Sequence, residues 1–349
     1  MTSVAQDGLE AALRVAVIGC GGWGTALALL LDSNGHHATI WGVEPDYVRS
    51  MREIRMNPRY LPGIEIPACV GLTSDMAECV AGGDVVVMAT PTVYLRSVCE
   101  RTSGHLSQGQ LIVNVAKGIE EGTQLLGSQI ISDVCGEDLD LAGLYGPSHA
   151  EEVARGLPTT IVATSRAPEL AVRVQRIFMG PTFRVYTNTD VLGVELGSAL
   201  KNVIAIAAGM CDGLDFGDNA KSALLTRGLA EITRLGVAMG ARAETFAGLS
   251  GLGDLITTCV SPYGRNRSVG MRIGRGETLD EILASMDQVA EGIRTTRSVC
   301  ALADRYGVEM PISRAVHDVL FERKPPLEAG MELMQRAARP EQDRLRKGR

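Results

Sequence analysis

Residues 14–31 read RVAVIGCGGWGTALALLL, and this stretch decides the fold. An apolar run with the look of a buried strand, RVAVIG, leads into an Ala- and Leu-rich run with a helical pattern. Between them Gly19, Gly21 and Gly24 fall into the spacing G-x-G-x-x-G. In a strand-turn-helix setting the three glycines do separate jobs. Gly19 permits a tight turn, Gly21 lets backbone approach a pyrophosphate, and Gly24 lets the helix lie close to the sheet. The helix start adds free N–H groups and positive potential for phosphates. The stretch therefore predicts a dinucleotide loop, with Gly22 and Trp23 inside it. Trp23 either lies over the cofactor or packs into the core.

Working outward, HATIWG (37–42), DVVVMAT (84–90), LIVNVA (111–116), LAGLYG (141–146), TTIVAT (159–164) and FRVYTN (183–188) read as further strands. Helical patterns or loops separate them, which points to βαβ units and a mostly parallel sheet. Beyond about residue 190 the texture changes to long Ala/Leu/Gly-rich helical patterns, broken at GLGD (251–254) and SPYGRNR (261–267). The expectation is an α/β protein: a Rossmann-like domain over residues 13–189, then an all-α domain over 190–338. Residues 1–12 and 339–349 are expected to be flexible termini.

Bulk properties narrow the function. A chain of 349 residues is long enough for two cores. Its 45% hydrophobic and 21% charged content is that of an ordinary soluble protein. A net charge of −7 argues against nucleic acid or an anionic membrane as the main partner. An anionic small-molecule substrate then needs a local cluster of cations. The eight cysteines form no C-x-x-C pair, which fits a reducing compartment and gives no zinc or disulfide framework. Residues 1–12 carry two acids and no base, and no apolar run approaches the ~18 residues of a membrane span. Cytoplasm is the default expectation.

Several loop ends carry chemistry. Glu44 follows the second strand, twenty residues past Gly24, where an acid accepts from a ribose 2′-hydroxyl and disfavours a 2′-phosphate. That leans toward NAD, unless Glu44 is simply a solvated acid before Pro45. No arginine follows immediately; Arg49 and Arg52 lie on the next helix. LIVNVA runs into Lys117, an ammonium at the sheet edge, and LAGLYG runs into Pro147-Ser148-His149-Ala150-Glu151. Ser148 and Glu151 have capping-box spacing, which accounts for both without excluding an anion at that turn. His149 has no visible orienting partner and receives no role.

The second half adds three more. GLSGLGDLITTC puts Asp254 at a helix start, as an N-cap or a ligand. SPYGRNRSVG offers Arg265, Asn266 and Arg267 before a helix, either as a phosphate fork or as a solvated basic turn. LGSALKNVIAIAAG (196–209) holds Lys201, and no carboxylate lies one turn away on either side. Its ammonium either snorkels to water or has a remote partner.

Together these stretches resemble NAD(P)-dependent glycerol-3-phosphate dehydrogenase of the bacterial type. The matching stretches are GCGGWGTAL (19–27), NVAKGIE (114–120), GPSHAEEVARGLPT (146–159), ALKNVIAIAAG (199–209), DGLDFGDNAKSALLTRGLAE (212–231), GLGDLITTC (251–259) and RNRSVG (265–270). The resemblance implies interconversion of dihydroxyacetone phosphate and sn-glycerol 3-phosphate with NAD(P)H, feeding phospholipid synthesis, in a homodimer. It implies Lys201 as acid and base at the C2 oxygen and Lys117 as the group that orients and polarises the carbonyl. Asp254 positions Lys201 or a substrate hydroxyl, and no metal is needed. Asn202, Thr258, Gly146 and Ser148 fall on substrate-contacting positions, and Arg265 with Asn266 on the phosphate-holding pair. Ala150, Val289 and Glu291 fall on cofactor-contacting positions, as does Arg265. Two departures stand out. Val43 replaces a frequent basic residue at the adenosine ribose, and Gly264 replaces a serine that commonly precedes the Arg-Asn pair. The rivals are a β-hydroxyacid or 6-phosphogluconate-type dehydrogenase, and a non-catalytic dinucleotide sensor; GLGDLITTC with RNR speaks against the first, and the presence of both lysines against the second.

Overall fold

The computed structural model describes residues 12–286, 289–338 and 340–341. The expected flexible termini fall almost wholly outside that range. Among the described residues an eight-stranded sheet forms from β1 (Arg14–Ile18), β2 (His37–Trp41), β5 (Gly71–Thr73), β6 (Val85–Met88), β7 (Leu111–Asn114), β8 (Asp140–Tyr145), β9 (Thr159–Thr164) and β10 (Phe183–Asn188). A hairpin of β3 (Met56–Asn57) and β4 (Leu61–Glu65) stands beside it. The sheet order is β10-β9-β8-β7-β6-β1-β2-β5, parallel throughout except where β9 pairs antiparallel with β8.

The near-continuous apolar strands follow from burial on both faces. Val15 and Val17 of β1 join the same core as Val85, Val87, Leu111 and Val113, whereas Ala16 and Ile18 join Val86, Met88 and Ile112 on the opposite side. Helices α1 (Gly22–Ser33), α2 (Pro45–Ile54), α3 (Met76–Val80), α4 (Thr92–Ser103), α5 (Gly127–Cys135), α6 (Ala150–Ala154) and α7 (Pro168–Phe178) connect the strands. The chain reverses its winding between β1 and β6, so a crevice opens beyond the carboxyl ends of those two strands, where such sheets bind ligands. Strands β3, β4 and β5 were not expected from the sequence: β3 and β5 have two and three residues, and β4 (LPGIE) carries a proline and a glycine and is mostly exposed.

From Asp190 onward the described residues are helical or irregular. The helices are α8 (Val191–Gly213), α9 (Gly217–Ala238), α10 (Ala243–Phe246), α11 (Asp254–Val260), α12 (Arg265–Gly274), α13 (Leu279–Ala284), α14 (Glu291–Tyr306), α15 (Pro311–Phe321) and α16 (Pro326–Met334). Asp190 starts α8 as its N-cap, accepting from Gly193 N at 3.0 Å. Helix α8 is the one described helix long and apolar enough to cross a membrane, and 89% of its apolar window is buried inside the protein. GLGD is not a break. Leu249–Gly253 forms a wide π-helical turn that runs directly into α11.

Helices α8 and α12 pack backbone to backbone. Gly209 and Gly213 of α8 face Gly270 and Gly274 of α12. A Cβ on Gly209 would stand 2.0 Å from Arg267 O, and one on Gly270 1.9 Å from Ile206 O. Small residues four apart on both helices make this approach possible, and backbone cannot yield to an added methyl as a side chain can.

Candidate functional site

The glycine loop lies at the crevice floor. Gly19 adopts φ +133°, and a Cβ there would lie 2.5 Å from Ala89 O, so glycine is required by both conformation and space. A Cβ on Gly24 would strike Gly19 O at 2.1 Å, which is the close helix–strand approach expected of that position. Above Gly21 the space is open for at least 4 Å. Helix α1 begins there with no side-chain cap and no acid in its first turn, so its leading N–H groups are uncommitted. Trp23 packs against the first-domain core, yet its buried Nε1 has no partner among the described residues. Ala150 Cβ lies 3.5 Å from where a Gly22 Cβ would be, which puts α6 over the loop. Open space above Gly21, a bare helix start and an orphaned indole N–H all fit a dinucleotide.

Across the crevice, α8 presents Lys201, which is 5% exposed. Its Nζ donates to Asp254 Oδ1 at 2.5 Å and to Thr258 Oγ1 at 2.7 Å. Thr258 Oγ1 in turn donates to Asp254 O at 2.7 Å, one turn back on α11. Among the described residues two acceptors serve the three protons of this ammonium, so one N–H remains for a ligand oxygen. Burial draws the Lys201 pKa down from 10.5 to about 8; Asp254 works against the shift and Lys117 with it.

Lys117 follows β7 and meets the same carboxylate. Its Nζ reaches Asp254 Oδ2 at 3.1 Å, Gly146 O at 2.8 Å and Ser148 Oγ at 3.4 Å. Asp254 therefore carries one ammonium on each oxygen. It is the first residue of α11 and caps nothing, which settles its two sequence readings against the cap. The capping box expected of Ser148 and Glu151 is not formed either. His149 occupies the N-cap of α6 without a side-chain bond, and the Ser148 hydroxyl turns back onto Gly146 O at 3.0 Å. His149 is half-buried, its Nε2 is shielded and has no partner among the described residues, and desolvation followed by the Lys201 and Lys117 charges lowers its pKa to about 4. It is a neutral imidazole.

An amide chain links this centre to the start of α12. Asn202 Nδ2 donates to Lys117 O at 3.0 Å, Asn266 Nδ2 donates to Asn202 Oδ1 at 3.0 Å, and Gly292 N donates to Asn266 Oδ1 at 3.0 Å. Each asparagine keeps one amide proton spare. Arg265 is exposed, and among the described residues its fork makes one Nη1 contact, to Val289 O at 3.0 Å. Gly264 is the buried N-cap of α12, and a Cβ there would lie 2.8 Å from Thr258 O, so this backbone path suits glycine over the serine of the resemblance. Arg267 is not part of the fork; its Nε pairs with Asp212 at 2.6 Å, and Lys221 holds the same carboxylate at 2.7 Å. Glu291 accepts from Thr92 N at 2.8 Å, clasping α14 to α4 beside Gly118.

The remaining positions lie at the far end of the loop. Val43 is 60% exposed, and Glu44, also exposed, pairs with Arg59 at 2.8 Å. Sequence reading missed Arg59. It also missed Glu195, buried on α8 six residues before Lys201. That carboxylate accepts from Tyr145 Oη at 2.7 Å, Ser128 Oγ at 2.6 Å, Ser128 N at 3.0 Å and Asn114 Nδ2 at 3.2 Å. It ties α8 to the ends of β7 and β8, the strands that deliver Lys117 and Gly146. Burial raises its pKa against the pull of those donors. The available signal was an acid within an otherwise apolar helix.

Comparison with known proteins joins the two halves. Residues 14–171 match the family model described as NAD-dependent glycerol-3-phosphate dehydrogenase N-terminus, and residues 190–331 the one described as its C-terminus. The chain is 46% identical to "Glycerol-3-phosphate dehydrogenase [NAD(P)+]" of Chlorobium luteolum, covering 95% of this chain and 100% of the relative. It is 50% identical to the protein of that description from Geobacillus kaustophilus, covering 95% and 97%. The crystal structure of glycerol-3-phosphate dehydrogenase from Coxiella burnetii superposes with a TM-score of 0.90 at 36% identity, over 93% of this chain and 99% of that one.

Proposed function

The chain belongs to the NAD-dependent glycerol-3-phosphate dehydrogenase family, and from that premise we propose that Lys201 is the acid and base of its reaction, Lys117 its electrophile, and Arg265 with Asn266 its phosphate anchor. The reaction is the interconversion of dihydroxyacetone phosphate and sn-glycerol 3-phosphate with NAD(P), which supplies the glycerol phosphate of phospholipids.

When bound, the nicotinamide supplies the hydride to C2, or accepts it in the reverse direction. The loop of Gly19, Gly21, Gly22, Trp23 and Gly24 would hold the dinucleotide, with Ala150, Val289 and Glu291 as further contacts. The fork of Arg265 and the spare amide proton of Asn266 grip the substrate phosphate at the start of α12. Binding energy at that remote group orients the carbonyl toward the two ammonium groups. Lys117, with Ser148 and Gly146 beside it, polarises the carbonyl oxygen. Lys201 gives its uncommitted proton to the oxygen as charge develops there, and takes one from the C2 hydroxyl in the reverse direction. Asp254 and Thr258 hold Lys201 in place. Asp254 is no second base, because both of its oxygens are bound to ammonium groups. The observation that carries this reading is the convergence of two lysines from different halves of the chain on one buried carboxylate. In Lys201→Ala the cofactor should bind as in wild type while turnover nearly vanishes; a variant with wild-type kcat overturns the assignment.

The break between the units is proposed at Thr189–Asp190, supported by the end of β10 at Asn188 and the N-cap of α8 at Asp190. A homodimer in the cytoplasm completes the proposal. The eight unpaired thiols support a reducing compartment. Light scattering that returned a monomer mass would remove the dimer.

A further inference from the structure

The acid at the end of β2 is not alone. Glu44 is the N-cap residue of α2 but makes no capping bond, so its carboxylate is free for another use. Arg59 Nη1 holds Glu44 Oε1 at 2.8 Å. The same guanidinium lies 4.3 Å from the centroid of the Tyr47 ring and 5.6 Å from that of Tyr60. Those rings stand edge to face at 5.9 Å. Arg59 Nη1 also reaches Tyr60 Oη at 3.5 Å, and a cation held against two rings keeps the rest of its fork for other acceptors.

The mount is rigid and attached to the glycine loop. Tyr47 Oη donates to Asn57 Oδ1 at 2.6 Å and accepts from Arg59 N at 3.1 Å. Asn57 Nδ2 donates to Cys20 O and to Thr25 Oγ1, both at 2.8 Å. Tyr60 O lies 2.6 Å from where a Gly22 Cβ would be. The β3–β4 hairpin therefore carries Arg59 to the edge of the phosphate loop, next to the carboxylate that follows β2. In an α/β dinucleotide site this is where the adenosine ribose presents its 2′ oxygen. A lone acid there rejects a 2′-phosphate by charge repulsion, and a lone arginine attracts it.

We propose that Glu44 and Arg59 form a two-way selector at the ribose 2′ position, which lets the chain take both NAD(H) and NADP(H). This rests on the dinucleotide reading of the glycine loop. With a 2′-hydroxyl, Glu44 accepts from the sugar and Arg59 stays on Glu44, masking its charge. With a 2′-phosphate, Arg59 leaves Glu44 for the phosphate oxygens, and Tyr47 and Tyr60 keep its plane in position. The pair is solvent-accessible, with the Arg59 and Glu44 side chains 38% and 53% exposed, so water can replace either partner and the exchange costs little.

The test uses two fragments that differ only in that phosphate, 5′-AMP and 2′,5′-ADP, with dissociation constants from calorimetry on the full chain. Both bind the wild type if the selector exists. Arg59→Met should weaken 2′,5′-ADP by about tenfold or more and leave 5′-AMP within about twofold, the loss expected for a charged hydrogen-bond donor. Glu44→Gln should act in the opposite sense, tightening 2′,5′-ADP and weakening 5′-AMP. The ratio of kcat/KM for NADPH over NADH should move with the fragments. If Arg59→Met weakens both fragments equally, or neither, the selector is refuted. If wild type binds neither fragment nor NADH, the fault lies in the dinucleotide reading itself, and the two failures are told apart.

Discussion

Lys201 Nζ stands 2.5 Å from Asp254 Oδ1, across fifty-three residues of chain, with both side chains sealed from solvent. The lysine comes from a helix that offers it no carboxylate within one turn, and the aspartate from a helix start where it caps nothing. Burial lowers the lysine's proton affinity while the carboxylate limits the fall. The outcome is an amine with a pKa of about 8, close to working pH.

The pH dependence follows with a definite sign. Reduction consumes the protonated amine, so kcat/KM for dihydroxyacetone phosphate should fall as pH rises through about 8. Oxidation needs the free amine, so kcat/KM for glycerol 3-phosphate should rise through the same region. Parallel profiles of reduced nicotinamide absorbance check both; a reductive profile flat to about pH 10, near the ordinary lysine value, sinks the assignment.

Asp254→Asn removes the charge that opposes the shift and leaves Lys117 and Lys201 facing each other. The limb of the pH profile should move below about 8. Leaving buried charge unpaired should also cost ~3–5 kcal/mol of stability, read from urea midpoints. A limb that stays in place would mean that the carboxylate does not set the amine's affinity.

The glycine crossing of α8 and α12 predicts a different phenotype. Gly270→Ala puts a methyl where Ile206 O lies 1.9 Å away, so the helices must separate. A stability loss of ~1–3 kcal/mol is expected, with the KM for dihydroxyacetone phosphate rising more than that for the cofactor, because α12 begins with the phosphate anchor. Unchanged melting temperature and KM would contradict the packing.

Glu231 supplies a test of stability away from the reaction. It is 2% exposed on α9 and accepts from Ile312 N at 2.7 Å, Ser313 N at 3.2 Å and Ser313 Oγ at 3.2 Å, at the start of α15. Burial outweighs those donors and lifts its pKa from 4.5 to about 7. The folded state keeps the proton that the unfolded chain releases. Its contribution is therefore full below about pH 4.5 and is lost as pH climbs to about 7, by on the order of a few kcal/mol. Glu231→Gln should flatten the slope of urea midpoint against pH in that window. An unaltered slope would show that the group does not titrate there.

Much of this was legible in the sequence. The glycine loop, the apolar strands and the change of texture near residue 190 each carry a local period or spacing, and the structure has the elements they imply. Lys201 was legible as an ammonium with no carboxylate within a turn, whereas Asp254 also had a local reading, as a helix cap, that the structure does not bear out. What could not be read depends on pairings between distant segments. Arg59 sits fifteen residues after Glu44 and is returned to it by a hairpin of one two-residue strand and one that carries a proline and a glycine. Glu195 finds its donors on two strands and α5, none of them near it in sequence. The Ser148–Glu151 spacing was right for a cap and still failed, because Lys117 and Gly146 O gave the serine other partners.

Backbone contact between α8 and α12 has one more consequence. Two rods that touch along their main chains cannot slide apart by exchanging side chains, so the span from the reactive amine to the anion grip is fixed like the jaws of a calliper. Adaptation to a longer or shorter phosphorylated ketone would have to come from the opposite wall, in the turns after β7 and β8.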